Sequence, residues 1–91
     1  MPVTIRIPTQ LRPLAGGNAT VTATGSTVAE VLKDLEASYP GFNDRLFDET
    51  GKLRRFVNVF LAEEDIRFLD GIDTALSDGD VVTVLPAVAG G

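Results

Sequence analysis

One stretch of this chain carries a helical apolar face, and it limits the whole fold. Val28, Val31, Leu32 and Leu35 recur at spacings of 3, 1 and 3, Tyr39 follows four residues on, and Lys33, Asp34 and Glu36 take the other side. Thr27 with Glu30 three residues later is a capping-box pattern. Pro40-Gly41 stops the helix. Its length is about 12 residues, roughly 18 Å. No other segment of the 91 residues shows such a face. The remaining apolar residues read mainly as strands.

Val3, Ile5 and Ile7 alternate with Thr4, Arg6 and Pro8, the period of a half-buried strand. Pro8 suits its end, where a missing N–H costs least. A loop is expected through Pro13, Gly16 and Gly17. Ala19 to Thr24 is β-branched and reads as a second strand, antiparallel to the first. Phe42, Leu46 and Phe47 suggest a short helical turn that plugs the core, and Asp48-Glu49-Thr50-Gly51 a turn. Phe56 to Ala62 reads as a strand with Val57, Val59 and Leu61 on one face and Phe56, Asn58 and Phe60 on the other. Glu63-Glu64-Asp65 is expected as a turn and Ile66-Arg67-Phe68 as a short strand. Ile72 and Leu76 are expected in a brief helical turn, and Asp78-Gly79-Asp80 is a turn signal. Val81 to Leu85 is nearly continuous apolar sequence, expected to be central and buried on both faces.

The first and last long strands are expected to pair parallel in the centre, with the helix crossing the sheet as a right-handed connection. The layout is α+β, of the β-grasp type: a mixed sheet of about 4–5 strands with one main helix across one face. Residues 1–86 are expected to form this domain and 87–91 a flexible C-terminal tail.

Composition removes most chemistries. There is no Cys, so no disulfide, no Cys-based zinc site and no thiol nucleophile. There is no His, which removes the usual general base near neutral pH and the commonest metal ligand. A net charge of −5 argues against nucleic acid as the main partner. The apolar runs are too short for a transmembrane helix, and Met1 to Arg6 lacks the pattern of a signal peptide. A cytoplasmic location and no membrane partner are expected.

The candidate sites are few. Glu63, Glu64 and Asp65 form a carboxylate run, but without the spacing of a calcium loop they read as a solvated turn. Asp70, Asp73, Asp78 and Asp80 are close in sequence, and Asp78 and Asp80 read as turn residues flanking Gly79. No metal site is expected. Gly16-Gly17 lacks the following Lys-Ser/Thr of a phosphate loop. Lys52, Arg54 and Arg55 beside Phe56 read as a solvated loop or a docking patch for a partner. Phe60 and Phe68 fit either an exposed patch on the open sheet face or the core.

The last residues are the most telling. Pro86 ends the strand, and Ala87, Val88, Ala89, Gly90 and Gly91 cannot fill a core. Five residues reach up to ~17 Å when extended. Gly-Gly has no Cβ, so it can thread a narrow channel. A terminal carboxylate has a pKa of about 3.5 and is ionised at pH 7.

The Asn58 strand, Glu64-Asp65-Ile66-Arg67, Gly71 to Leu76, Asp78-Gly79-Asp80 and Ala87 to Gly91 resemble the ubiquitin-like sulfur carriers of the ThiS/MoaD family. Ile7 to Pro13, Gly16-Gly17, Gly51 to Asn58 and Leu85 to Gly91 are similar to its cysteine-biosynthesis branch, as is Ala87 where many members have Pro. The resemblance implies a protein cosubstrate rather than an enzyme. An adenylating, E1-like partner of the MoeB/ThiF type would use ATP and Mg²⁺ to activate the Gly91 carboxylate. A rhodanese-type donor would convert it to a thiocarboxylate. A PLP-dependent, CysM-like cysteine synthase would accept the sulfur, and a zinc metalloprotease would release cysteine. The carrier itself would bind no cofactor and be a monomer, with Pro86 to Gly90 lying in partner channels. Two alternatives stand beside this: the small subunit of molybdopterin synthase, and a ubiquitin-like protein modifier.

Overall fold

The computed structural model describes residues 2–54 and 57–86. The strands are β1 (Pro2–Arg6), β2 (Thr20–Thr24), β3 (Val57–Leu61), β4 (Glu64–Asp65) and β5 (Val81–Pro86). They form one sheet in the order β2-β1-β5-β3-β4. β1 runs parallel to β5, and both β1–β2 and β3–β5 are antiparallel. The expected mixed sheet, with the first and last strands paired at its centre, is what forms.

Helix α1 (Val28–Ser38) lies against one face of that sheet and buries Val28, Val31, Leu32 and Leu35. They join Val3 and Ile5 of β1, Val57 and Val59 of β3, and Val82 and Val84 of β5 in one core. The short helix α2 (Phe42–Leu46) closes that core with Phe42 and Leu46, each 1% exposed. The cap at the start of α1 spans one more residue than the motif suggests. Thr27 Oγ1 accepts from the Glu30 N–H at 3.2 Å. The Glu30 carboxylate, however, accepts from the N–H and hydroxyl of Ser26, each at 2.9 Å. Those bonds favour the ionised form and hold the Glu30 carboxyl below its ordinary range. The Val28 N–H donates to the Thr74 carbonyl and the Leu76 N–H to Ser26, which ties the helix start to the 70s loop.

Four local expectations change. Residues Thr9–Ala15 form a 3-10 helix instead of a loop, because Leu11 and Ala15 are drawn into the core. Its sharp exit needs Gly16 at φ 65°. The short edge strand is Glu64–Asp65, and Ile66–Phe68 is a 3-10 turn. A tight turn at Ala62 (φ 56°) returns the chain immediately, and the Asp65 carboxylate caps the turn through the Arg67 N–H at 2.9 Å. Ile66 is buried while Phe68 is 83% exposed, so their alternation is not that of a strand. The second 3-10 turn, Gly71–Asp73, includes Ile72 but not Leu76, which is buried beside the Thr27–Ala75 bridge.

The fourth change matters most. β5 is central, as expected, but it is buried on one face only. Val82 and Val84 are 0% and 1% exposed, whereas Val81 and Leu85 are 37% and 46% exposed. The main helix covers the inner face, and among the described residues no second helical layer covers the outer one.

Candidate functional site

The site is built around the end of β5. Pro86 lies opposite Val57, Leu85 opposite Asn58, and Thr83 opposite Phe60 on one side and Arg6 on the other. The register therefore gathers Phe60, Thr83, Leu85 and Arg6 on the open face, near the point where the chain leaves the sheet. Any segment that follows Pro86 starts from the central strand, which pairs with β1 as far as Thr83 and with β3 as far as Pro86.

Arg54 stands where the preceding loop enters β3. Its N–H donates to the Leu46 carbonyl at 2.9 Å and its Nε to the Asp44 carbonyl at 3.2 Å. Its own carbonyl accepts from the Val57 N–H at 3.0 Å, which places it beside the end of β5. Phe60 is half-buried on the open face. Phe68 is exposed, but on the 3-10 turn at the sheet's edge instead of on the sheet itself. The Arg67 guanidinium donates to the Val57 carbonyl at 3.0 Å, so this turn also lies at the tail-exit end. The expectations for Arg55 and for Ala87, Val88, Ala89, Gly90 and Gly91 fall outside the described residues, as does the side chain of Pro86.

Leu85, Val81 and Leu69 are exposed apolar residues that the sequence reading did not single out. For Leu85 and Val81 the signal was available: one helix cannot cover both faces of a five-stranded sheet.

Asp80 and Asp48 have structural roles. The Asp80 carboxylate accepts from the Ser77 N–H at 2.8 Å, and Gly79, at φ 86°, donates its N–H to the Pro2 carbonyl at 2.9 Å. Asp48 accepts from the Thr50 hydroxyl at 2.6 Å and from the Thr50 and Lys52 N–H groups, which holds its carboxyl below the ordinary range. Among the described residues no group of three or more Asp or Glu is placed to hold a metal ion. Among them, too, no helix is long and apolar enough to cross a membrane.

A five-stranded mixed sheet with one main helix across it and the last strand at its centre is the ubiquitin-like β-grasp fold. Residues 5–91 match the model of the ThiS family, and the chain belongs to that family. It is 55% identical to the sulfur carrier protein CysO of Mycobacterium tuberculosis, over 100% of both chains. The crystal structure of M. tuberculosis CysO superposes with a TM-score of 0.90 at 53% identity, covering 94% of this chain and 99% of that one. A chain of the Amycolatopsis orientalis BexX/CysO complex superposes with a TM-score of 0.91 at 48% identity, covering 98% and 99%.

Proposed function

We propose that this protein is a sulfur carrier for cysteine biosynthesis that works through the carboxylate of Gly91. The observation that carries this reading is the full-length likeness, at 55% identity, to a sulfur carrier protein CysO. The fold supports it, since β5 delivers the chain from the sheet's centre toward the sequence Ala87-Val88-Ala89-Gly90-Gly91. We assign residues 1–86 to the carrying domain and 87–91 to the tail.

The chain acts as a cosubstrate, and partner enzymes do the chemistry. An adenylating, E1-like partner binds ATP and Mg²⁺. The Gly91 carboxylate attacks the α-phosphate, pyrophosphate leaves, and an acyl-adenylate forms. A persulfide sulfur, from a rhodanese-type donor, displaces AMP, and a thiol reductant then frees the thiocarboxylate. That sulfur adds to an aminoacrylate held by a PLP-dependent cysteine synthase. The acyl group shifts from sulfur to nitrogen, which leaves cysteine amide-linked to Gly91. A zinc metalloprotease hydrolyses the amide with water and regenerates the carboxylate. The carrier contributes a tail without side-chain bulk at its tip and a rigid domain to grip. It needs neither Cys nor His, because the sulfur is held on its main-chain terminus. The Amycolatopsis orientalis BexX/CysO complex supports partner binding by a carrier of this kind.

The test is intact-mass spectrometry after incubation with the adenylating enzyme, ATP and a sulfur donor. The expected gain is that of one sulfur replacing one oxygen, and loss of Gly91 abolishes it while leaving thermal unfolding unchanged. An unchanged mass for the full chain refutes the reading. Purified cysteine synthase should then accept the sulfur. Transfer only to a pterin precursor would move the assignment to molybdopterin synthesis.

A further inference from the structure

A groove of about 450 Å³ lies between the open sheet face and the Thr9–Ala15 segment. β5 pairs with β1 as far as Thr83 but with β3 as far as Pro86, so the groove opens along the last residues of β5 on the β1 side. Arg6, Thr20, Thr83 and Leu85 line it from the strands, and Gln10 and Arg12 from the 3-10 helix. Arg12 is half-buried and donates from Nε to the Ile7 carbonyl at 3.2 Å, which holds its guanidinium at the wall. Arg6 is exposed and lies across from Thr83. The chain has 13 acidic residues, yet none lines this groove. Two guanidinium groups are gathered there without a carboxylate among the lining residues.

The chain's own terminal carboxylate is the anion tethered nearest to them. From Pro86 back to Thr83 is three strand residues, about 10 Å, and the next strand lies about 5 Å to the side. Residues 87–91 reach up to ~17 Å when extended. Five residues are enough to turn past Pro86 and bring the Gly91 carboxylate back over Leu85 to Arg6 and Arg12. Gly90 and Gly91 take the backbone angles of a tight reversal at little cost. A tether this short keeps the carboxylate near the guanidinium groups at an effective concentration in the mM range. A guanidinium matches a carboxylate with two parallel hydrogen bonds.

We infer that the Arg6–Arg12 groove is the resting site of this chain's own C-terminal segment, residues 87–91, with the Gly91 carboxylate against the two guanidinium groups. The contact goes beyond the proposed function and rests on it only in taking Gly91 as the free terminus. A thiocarboxylate is also a planar anion, so the loaded tail takes the same place. A docked tail is withheld from any channel, and a partner enzyme must displace it before using Gly91. The groove is thus a latch carried by the domain itself. A phosphate ester from solution matches the same charges but lacks the tether.

The experiment is NMR on the full chain, its intact mass showing that it ends at Gly91, beside a semisynthetic chain of the same length that ends in the Gly91 carboxamide. Removing the charge should shift the Arg12 Nε–H and Thr83 N–H signals and leave Val31, inside the core, in place. The Gly91 carboxylate faces Arg6 from β1 and Arg12 from the 3-10 helix, the charged groups among the lining residues, and should titrate below about 3.5. Arg6→Gln, which removes no hydrogen bond among the described residues, should return it toward that value. The same variant should be trimmed by a carboxypeptidase about two- to fivefold faster than the wild type, and Lys33→Gln, on the outer face of α1, at the wild-type rate. Raised salt should shrink the difference. Arg12 and Thr83 signals unmoved by amidation overturn the inference. Shifts that vanish on dilution assign the contact to the tail of a second copy and overturn it within one chain. None of these readouts uses adenylation, so a carrier that is never adenylated removes the proposed function and leaves the latch standing. A native chain whose mass extends past Gly91 overturns both.

Discussion

Val82 and Val84 face one side of β5 and Val81 and Leu85 the other, and their chemistry is nearly the same. The first pair is sealed under α1, while the second pair is more than a third exposed. Residue type does not separate them; coverage does. A single amphipathic helix shields one face of the sheet, and of the apolar residues left on the other face Val81 starts β5 while Leu85 sits beside its end. Under the proposed function, an uncovered apolar residue at the end of β5 is the part of this face we assign to partners.

Opposite substitutions on the two faces put this contrast to the test. Val84→Asp should prevent stable folding, because an unpaired carboxylate in the core costs more than a domain of this size can spare. Leu85→Asp, one residue on, should change stability by no more than about 0.5 kcal/mol, while weakening capture by the adenylating enzyme. Chemical denaturation and a carrier KM measured on both variants decide the matter. If Leu85→Asp unfolds the domain, the two faces are not different in kind.

Smaller effects sharpen the account of the covered face. Phe42→Ala should cost about 3–5 kcal/mol, since α2 fills the core through that ring. Gly25 explains why β2 can turn so closely into α1: a Cβ there would meet the Glu30 Cβ at 2.8 Å and the Val31 nitrogen at 2.9 Å. Gly25→Ala should therefore destabilise by about 1–3 kcal/mol, visible as a lower Tm. Thr27→Ala should cost about 1 kcal/mol by leaving the Glu30 N–H without its partner.

The smallest effect is in pH. Glu30 is fully exposed, and its hydrogen bonds to the Ser26 N–H and hydroxyl lower its carboxyl pKa in the folded state. A lowered folded pKa means stability that is present above the ordinary carboxylate range and is lost as pH falls through the folded value. Glu30→Gln should remove that part of the acid sensitivity. A direct titration by NMR should find Glu30 protonating below an unstructured glutamate.

The helix and both long hairpin strands were legible because their side chains repeat with the period of the element they form, and the final strand because of its apolar run, which hid that one of its faces stays open. The α1 face recurs at helical spacing, and Val3 and Ile5 alternate as β1 requires. The misread segments lack a period of their own. Ile66 and Phe68 alternate, yet the turn at Ala62 and the Asp65 cap had already set the edge strand two residues earlier. Leu11, Leu14 and Ala15 carry a short helical spacing that Pro13 and the neighbouring glycines disguise as a loop. The site divides in the same manner. The calls on Gly91 and the tail lie outside the described residues, while Arg54 and Phe60 stand in the half of the sheet that holds the end of β5. That Arg6 lies across from Thr83 and joins Leu85 on one face was not readable, because it depends on which strands become neighbours.

By itself, then, the sequence determined that this chain carries one main helix and a set of short strands, and that it has neither Cys nor His. Local periodicity and side-chain chemistry suffice for that. Only the tertiary structure decided that β5 keeps one face open and that Arg6 and Arg12 line one groove. Those features come from register and coverage, set by pairing between residues far apart in the chain.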